Sequence, residues 1–170
     1  VFLRPLGLRL WGVIGAVCPS TNPTCTVICN SIGMLAAGNA VVFMPHPSAK
    51  NCSNLAIDMV NRASIEVGGP ANIVTAVADP TMEVSNYIFK HKDVDMLVAT
   101  GGPGVVTAVL SSGKRAMGAG AGNPPVLVDE TANIPKAAED IINGCTFDNN
   151  LPCIAEKEVV AVDMIADELI

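Results

Sequence analysis

The stretch that decides the fold is residues 13–47, which read VIGAVCPSTNPTCTVICNSIGMLAAGNAVVFMPHP. Two short apolar runs, 13–18 and 40–44, are each followed by a proline and are typical of buried strands. Between them Asn22 precedes a proline. This pair predicts a helix start, because asparagine favours the cap position and proline the first turn. The segment 24–37 is helical in length and composition, and a glycine follows it. The stretch therefore predicts a strand, a helix and a second strand in succession.

The same alternation continues along the chain. Further strands and helices are predicted, in chain order, at 48–67 (helix), 72–77 (strand), 80–90 (helix), 95–100 (strand), 105–111 (helix) and 115–118 (strand). Short strands that are apolar on both faces and alternate with helices are typical of a parallel sheet between two layers of helices. We therefore predict an α/β fold with a Rossmann-like parallel sheet and helices on both of its faces.

The rhythm of the sequence changes after the glycine-rich segment near residue 120. A strand, a helix and a second strand are predicted at 126–129, 135–144 and 158–163. A polar loop that contains Cys153 lies between the helix and the second strand. The sequence thus predicts two domains, 1–121 and 122–170, of which the second is the start of another α/β domain.

The composition indicates a piece of a larger protein. Hydrophobic residues make up 50% of the chain and charged residues 15%, and the mean hydropathy is +0.45. A free-standing soluble domain carries about 25% charged residues. We therefore expect further segments of polypeptide to cover part of the apolar surface.

Charge and hydropathy exclude two classes of partner. The net charge is −6, aromatic residues make up 4%, and no basic cluster occurs, all of which argue against nucleic-acid binding. The apolar stretch 94–110 is interrupted by glycines and a proline, and 11–18 is too short to span a bilayer. We expect no membrane anchor.

Six free cysteines in a large, loop-poor chain favour a reducing compartment, the cytoplasm. None of them forms a CxxC pair. Cys25 and Cys29 are spaced to share one helix face, but two thiolates make a poor zinc site. We interpret both as small buried side chains, and we predict no metal site.

Three loops follow predicted strands, where open parallel sheets bind their ligands: 19–23, 45–48 and 100–104. The loop 100–104 reads TGGPG and opens a helix. Its glycines would let a pyrophosphate approach the helix N-terminus, where free N–H groups favour anions. A plain tight turn remains the alternative interpretation of this loop.

Two side chains are candidates for catalysis. Asn22 is either a helix cap or an amide donor to an oxyanion. Cys153 is either a structural thiol or, because it follows the polar run 149–152, an exposed nucleophile. Glu156 and Lys157 follow it closely, and we favour a structural ion-pair role for them over a catalytic one.

Five motifs in one order resemble a known family. They are CPSTNP (18–23), PHP (45–47), TGGPG (100–104), GAGAGNPP (118–125) and NLPC (150–153). Their order and spacing closely resemble the aldehyde dehydrogenase superfamily, and within it the coenzyme A-acylating acetaldehyde and propionaldehyde dehydrogenases. The resemblance covers essentially the whole chain.

The resemblance implies a role for each matching residue. Cys153 matches the family nucleophile, and Asn22 matches the asparagine that binds the developing oxyanion together with the Cys153 backbone N–H. Three pairs match the residues that hold the adenosine ribose, the pyrophosphate and the nicotinamide of the cofactor, respectively: Pro45 and His46, Gly101 and Gly102, Ala119 and Gly120.

The informative departure is Ala119. Hydrolytic aldehyde dehydrogenases carry at this point a glutamate that activates water, and here the run is AGAG. The lysine and glutamate that usually hold the ribose are also replaced, by Met44 and Pro47. Both departures are shared by the acylating branch. NAD is expected rather than NADP, because His46 is the only basic side chain that we identify near this loop.

The resemblance therefore implies an NAD-dependent enzyme that converts a short-chain aldehyde to its acyl-CoA, reversibly, through a thioester on Cys153. A hydrolytic aldehyde dehydrogenase is the alternative enzyme. For the piece alone, the alternative is a dinucleotide-binding module without catalysis. The resemblance further implies a homo-oligomer in the full-length protein. It also implies a cytoplasmic location, whether free, fused to an alcohol dehydrogenase or inside a bacterial microcompartment.

Overall fold

A computed structural model of the chain describes residues 10–170, which divide into a first unit ending at Gly120 and a second unit, Ala121–Ile170. The boundary proposed from the sequence falls one residue later, between 121 and 122. Residues 1–9 of the proposed first domain lie outside the described residues.

The first unit alternates strands and helices as the sequence predicts, and the ends of these elements differ from the prediction by at most two residues. A short 3₁₀ turn, Pro47–Ala49, precedes the second helix. In chain order the elements are β1 (Val13–Val17), α1 (Pro23–Ala36), β2 (Ala40–Met44), α2 (Lys50–Glu66), β3 (Val74–Ala76), α3 (Met82–Lys90), β4 (Met96–Thr100), α4 (Pro103–Leu110) and β5 (Arg115–Ala119).

The five strands form one parallel sheet in the order β3-β2-β1-β4-β5. The chain builds outward from β1 to β3, and then returns to the other side of β1 to add β4 and β5. The direction of growth thus reverses between β1 and β4. In open α/β sheets such a switch point opens a crevice beyond the carboxyl ends of the two strands, and ligands bind there.

Helices cover both faces of the sheet. Phe43 and Met44 are adjacent in β2 and therefore point to opposite faces, and both are buried. Phe43 packs in a cluster with Val27 of α1 and Ile57 of α2, whereas Met44 belongs to a second cluster with residues of α3 and α4. Burial of an apolar side chain of this size contributes about 1.5–3 kcal/mol. The predicted fold class is confirmed.

The second unit contains β6 (Pro125–Val128), α5 (Ile134–Thr146), β7 (Glu158–Ala161) and α6 (Asp163–Leu169). The two strands are parallel, and a small core of Val128, Ile134 and Ile165 lies under them. The last strand ends at Ala161, two residues before the predicted end. Helix α6 begins there because the Asp163 carboxylate favours a helix N-terminus.

The interpretation of Cys25 and Cys29 as buried side chains is wrong. Both thiols are exposed, and their sulfur atoms lie 3.7 Å apart. The buried face of α1 carries Val27 and Ser31 instead, and the residues two positions from them necessarily point outward. Cys18 is buried, and burial raises the pKa of its thiol to about 12, so Cys18 stays protonated at neutral pH.

Residues 10–170 lack two features. No helix in this part of the chain combines the length and the apolar character needed to cross a bilayer. Within the same range, no three His, Cys, Asp or Glu side chains are grouped closely enough to hold a metal ion.

Candidate active site

The carboxyl edge of the parallel sheet brings together the candidate residues of the first unit. Because all five strands run in one direction, the residues that follow them lie at the same edge. Asn22 follows β1, Pro45 and His46 follow β2, Gly101 and Gly102 follow β4, and Ala119 and Gly120 lie at the end of β5. Cys153 belongs to the second unit.

Asn22 occupies the cap position of α1, but its side chain does not cap the helix. Its backbone angles are φ −147° and ψ 65°, and the side chain makes no hydrogen bond to the first turn. A capping asparagine has an extended backbone that aims its oxygen at the second or third N–H group of the helix, and this ψ does not. The predicted helix start is confirmed and the predicted side-chain cap is wrong. Among the described residues the amide of Asn22 therefore remains free to donate to a ligand.

His46 is exposed and is held in place by its neighbour. Its Nδ1 accepts a hydrogen bond from the Ser48 backbone N–H at 3.3 Å and lies 2.7 Å from the Ser48 hydroxyl. Pro45, which precedes it, is buried and anchors the end of β2. These contacts leave the second ring nitrogen of His46 available for a ligand at the sheet edge.

A second basic side chain lies close to this loop and was missed in the sequence. Lys50 begins α2, one helical turn after His46, and its Nζ lies 2.7 Å from Oδ1 of Asp79. The ammonium holds the pKa of the Asp79 carboxyl below its usual value, by a hydrogen bond and by its charge. His46 is therefore not the only basic side chain near this loop, contrary to the prediction. The Lys50 position was visible in the sequence, but its partner, 29 residues away, was not.

The glycine-rich loop forms the N-terminus of α4. Gly102 is the cap residue, with φ −67° and ψ 164°, and Pro103 occupies the first helical position. A side chain at Gly102 would meet nothing within 4 Å, so there is open space in front of the helix. The next N–H groups, of Gly104 and Val105, have no acceptor within the helix. An open, glycine-capped helix N-terminus of this kind fits a pyrophosphate.

A hydrogen bond ties this loop to the end of β5. The Gly101 N–H donates to the Ala119 carbonyl at 3.1 Å, so the residue proposed for the pyrophosphate and the residue proposed for the nicotinamide are directly connected. Ala119 is exposed, and its methyl group offers no proton acceptor. Gly120 follows it and is also exposed.

Cys153 lies in the loop between α5 and β7, and its thiol is exposed. The loop begins with three consecutive residues of positive φ, namely Asp148 (46°), Asn149 (54°) and Asn150 (59°). Asparagine and aspartate tolerate this left-handed conformation better than other side chains do. The DNN run thus explains how the chain turns sharply just before the cysteine.

Two further side chains hold the cysteine loop by hydrogen bonds to its backbone, and neither role was predicted from the sequence. The Asn150 amide donates to the Cys145 carbonyl at 2.6 Å and to the Glu156 carbonyl at 2.9 Å, which joins the two ends of the loop. The Lys157 ammonium donates to the Pro152 carbonyl at 3.1 Å and to the Ala155 carbonyl at 3.0 Å.

The expected ion-pair role of Glu156 and Lys157 is wrong for the described part of the chain, where neither residue forms a salt bridge. The physical reason is the number of acceptors near the ammonium. An ammonium has three donors, and the carbonyl groups of Pro152 and Ala155 are within its reach.

Gly122 lies directly against the cysteine. A Cβ atom at this position would overlap the carbonyl oxygen of Cys153 and would lie 3.0 Å from its carbonyl carbon and 3.4 Å from its Cα. These are backbone atoms that no side-chain rotation can move away. The position therefore requires a glycine if the Cys153 turn is to keep its place.

The parallel sheet, with candidate residues at its carboxyl edge, defines a class of protein. This class is the α/β proteins that bind ligands beyond the carboxyl ends of their strands. The profile of the aldehyde dehydrogenase family matches residues 8–170. The chain belongs to the aldehyde dehydrogenase family, as the order of its motifs predicts.

Relatives of the chain are CoA-acylating enzymes. A CoA-propanoylating propanal dehydrogenase of Salmonella typhimurium is 52% identical over 160 residues, which are 94% of this chain and 34% of that protein. An acetylating acetaldehyde dehydrogenase of Bilophila wadsworthia is 54% identical, and the match covers 94% of this chain and 33% of that protein.

A solved structure agrees in both sequence and fold. The propionaldehyde dehydrogenase from the Clostridium phytofermentans fucose utilisation bacterial microcompartment is 66% identical and superimposes with a TM-score of 0.85. This match covers 95% of the chain and 37% of that structure. The chain thus spans about a third of the length of these relatives.

Proposed function

We propose that the full-length protein oxidises a short-chain aldehyde to its acyl-CoA, with NAD as hydride acceptor and a thioester on Cys153 as intermediate. The observation that carries the proposal is an exposed cysteine on a loop held by hydrogen bonds. At the position where hydrolytic relatives carry the glutamate that activates water, this chain has Ala119. The acylating activities of the Salmonella and Bilophila relatives support it.

The first unit fits the cofactor. The open N-terminus of α4 at Gly102 would hold the pyrophosphate, and His46 would lie beside the adenosine ribose with Pro45 as its anchor. Ala119 and Gly120 would lie beside the nicotinamide. When bound, NAD accepts the hydride that leaves the substrate carbon.

The residues of the chain supply the covalent chemistry. The Cys153 thiolate attacks the aldehyde carbon, and the oxyanion that forms is stabilised by the Asn22 amide and the Cys153 backbone N–H. Loss of hydride from this carbon leaves an acyl group on the sulfur. The uncapped amide of Asn22 supports its role as a donor, because the helix makes no competing demand on it.

The identity of residue 119 decides how the acyl group leaves. A glutamate there would activate water, and the loss of a general base slows such a step by about 10²–10⁴-fold. The thiol of coenzyme A is a much better nucleophile than water, so it takes the acyl group and releases Cys153. Exchange between two thioesters is close to balanced, and we propose that the reaction also runs from acyl-CoA to aldehyde.

We further propose that the substrate is propanal or acetaldehyde, because both kinds of enzyme are found among the relatives at similar identity. The full-length protein is proposed to be a homo-oligomer in the cytoplasm. A location inside a bacterial microcompartment is supported by the Clostridium relative.

The test of the proposal uses the full-length protein with propanal and NAD⁺, with and without coenzyme A. We expect NADH formation that depends on coenzyme A and yields propanoyl-CoA. Equal NADH formation without coenzyme A, with propanoate as product, would instead assign a hydrolytic enzyme. Binding of NAD⁺ without turnover would leave only a dinucleotide-binding module.

A substitution at Gly122 tests the support of the nucleophile. Gly122→Ala is expected to lower kcat by about 10- to 100-fold, because a displacement of about 1 Å at a reacting group can cost up to about 10²-fold. The new methyl group overlaps the Cys153 carbonyl, so the turn that carries the thiol must move. The measurement is the steady-state rate of NADH formation with propanal and coenzyme A.

Gly33→Ala is the matched control for this substitution. Gly33 lies on α1, where an added methyl group meets nothing within 4 Å, and kcat is expected to stay unchanged. Equal rates for Gly122→Ala and the unmodified enzyme would show that the contact between Gly122 and Cys153 does not position the thiol.

A further inference from the structure

An ion pair joins the segments that follow the neighbouring strands β2 and β3. The parallel register of β2 and β3 pairs Phe43 with Ala76, and the Val77 N–H donates to the Phe43 carbonyl at 2.9 Å. Three residues beyond this pair, the chain reaches His46 after β2 and Asp79 after β3. The Lys50–Asp79 ion pair thus lies beside the loop that contains His46.

The fold does not depend strongly on this ion pair. The Asp79 side chain is 82% exposed and the Lys50 side chain 40% exposed. Exposed pairs contribute little to stability, because water screens both charges. The depressed pKa of Asp79 keeps its carboxylate ionised at neutral pH. The pair therefore places one fixed negative charge and one fixed positive charge at the sheet edge.

The groups around the pair have the chemistry of a phosphate site. His46, Ser48 and Lys50 offer an imidazole, a hydroxyl and an ammonium within one turn of chain, and such groups bind phosphate oxygens. Asp79 has the opposite chemistry. A carboxylate accepts hydrogen bonds from ribose hydroxyls and repels a phosphate dianion. In the folded chain Asp79 also forms an ion pair with the Lys50 ammonium, which is then less available to a phosphate.

We infer that Asp79 determines which dinucleotide the protein accepts, because its carboxylate pairs with Lys50 and excludes a 2′-phosphate from the His46 loop. With Asp79 in place the edge selects NAD. Without this carboxylate, Lys50 joins His46 and Ser48 in a cluster that accepts the 2′-phosphate of NADP. This inference rests on the proposed function, since it takes the adenosine ribose to bind at His46.

The experiment measures binding, so that it does not depend on turnover. Dissociation constants for NAD⁺ and NADP⁺ are determined by calorimetry on the full-length protein and on Asp79→Asn. We expect Asp79→Asn to bind NADP⁺ about tenfold more tightly than the unmodified protein does, because one repulsive charge is removed and one ammonium is released. Its affinity for NAD⁺ is expected to change much less.

A second substitution and a control identify the source of the gain. Adding Lys50→Met to Asp79→Asn is expected to abolish the gain in NADP⁺ affinity. Asp93→Asn is the matched control, because Asp93 also forms an exposed ion pair, with Lys92 at 2.8 Å, in the turn before β4. This control is expected to leave the ratio of the two affinities unchanged.

Three outcomes would overturn the inference: equal affinities for the two dinucleotides in the unmodified protein, an unchanged ratio in Asp79→Asn, or a gain that survives Lys50→Met. Failure of the proposed function is distinguished from these by turnover. If the affinities change as expected but no acyl-CoA forms, the inference stands and the proposed reaction falls.

Discussion

Replacing Cys153 with serine in the full-length protein is expected to lower the rate of acyl-CoA formation by at least about 10³-fold. Serine has nearly the size of cysteine, and the exposed side chain makes no demand on the core, so the fold is expected to be unchanged. The serine hydroxyl does not ionise near neutral pH, so it is a much weaker nucleophile than a thiolate. The loss therefore falls on formation of the covalent bond.

Two measurements check this result. Steady-state NADH formation gives the rate, and mass spectrometry of the protein after incubation with propanoyl-CoA shows whether an acyl group is attached. The unmodified protein is expected to carry one, and Cys153→Ser none. Cys52→Ser provides the control, since Cys52 is another exposed thiol, on α2. Retention of activity in Cys153→Ser, or its loss in Cys52→Ser, would place the nucleophile elsewhere.

Replacing Asn22 with alanine is expected to lower kcat by about 10²–10³-fold, the range found when one donor to an oxyanion is removed. KM is expected to change little, because the amide acts on charge that develops after substrate binding. The thermal stability is also expected to stay unchanged, since the Asn22 side chain makes no cap hydrogen bond. Loss of a side chain that does cap a helix costs about 1 kcal/mol.

Asn133→Ala is the matched comparison. Asn133 is the cap residue of α5, and its side-chain oxygen accepts a hydrogen bond from the Lys136 N–H at 3.1 Å. This substitution is expected to lower the melting temperature and to affect kcat less. A fall in melting temperature for Asn22→Ala without a fall in kcat would return Asn22 to the role of a structural cap.

Much of the fold follows from local features of the sequence. Short apolar runs that alternate with helical segments predict the parallel sheet, and prolines and glycines mark the ends of its elements. The strand order does not follow from such local features. It depends on the pairing of β1 with β4, whose residues are more than 80 positions apart, as the hydrogen bond from the Val13 N–H to Asp95 shows. Local patterns carry no information on such a pairing.

In the candidate site, too, local motifs were predicted and contacts between distant residues were not. Cys153, Gly102 and Ala119 were identified from motifs, and the structure places them on a loop, at a helix N-terminus and at a strand end, respectively. The contacts that hold these segments were not predicted, because they join a side chain to backbone carbonyls or to a distant residue. Lys157 was expected to have an ion-pair role and instead donates to the carbonyls of Pro152 and Ala155 in the cysteine loop. Asn22 was expected to cap α1, and its backbone angle ψ prevents this.

The reversal of strand order between β1 and β4 also has a consequence for folding. Strands β1 and β2 are joined by one helix and pair early, because the closing loop is short. The chain must then return from β3, past β2, to bring β4 to the other side of β1, and pairings between residues far apart in sequence form slowly. The N-terminus of α4, where we propose that the pyrophosphate binds, directly follows β4. We therefore expect the ability to bind a dinucleotide to be gained late, when β4 pairs with β1, after the first three strands are in place.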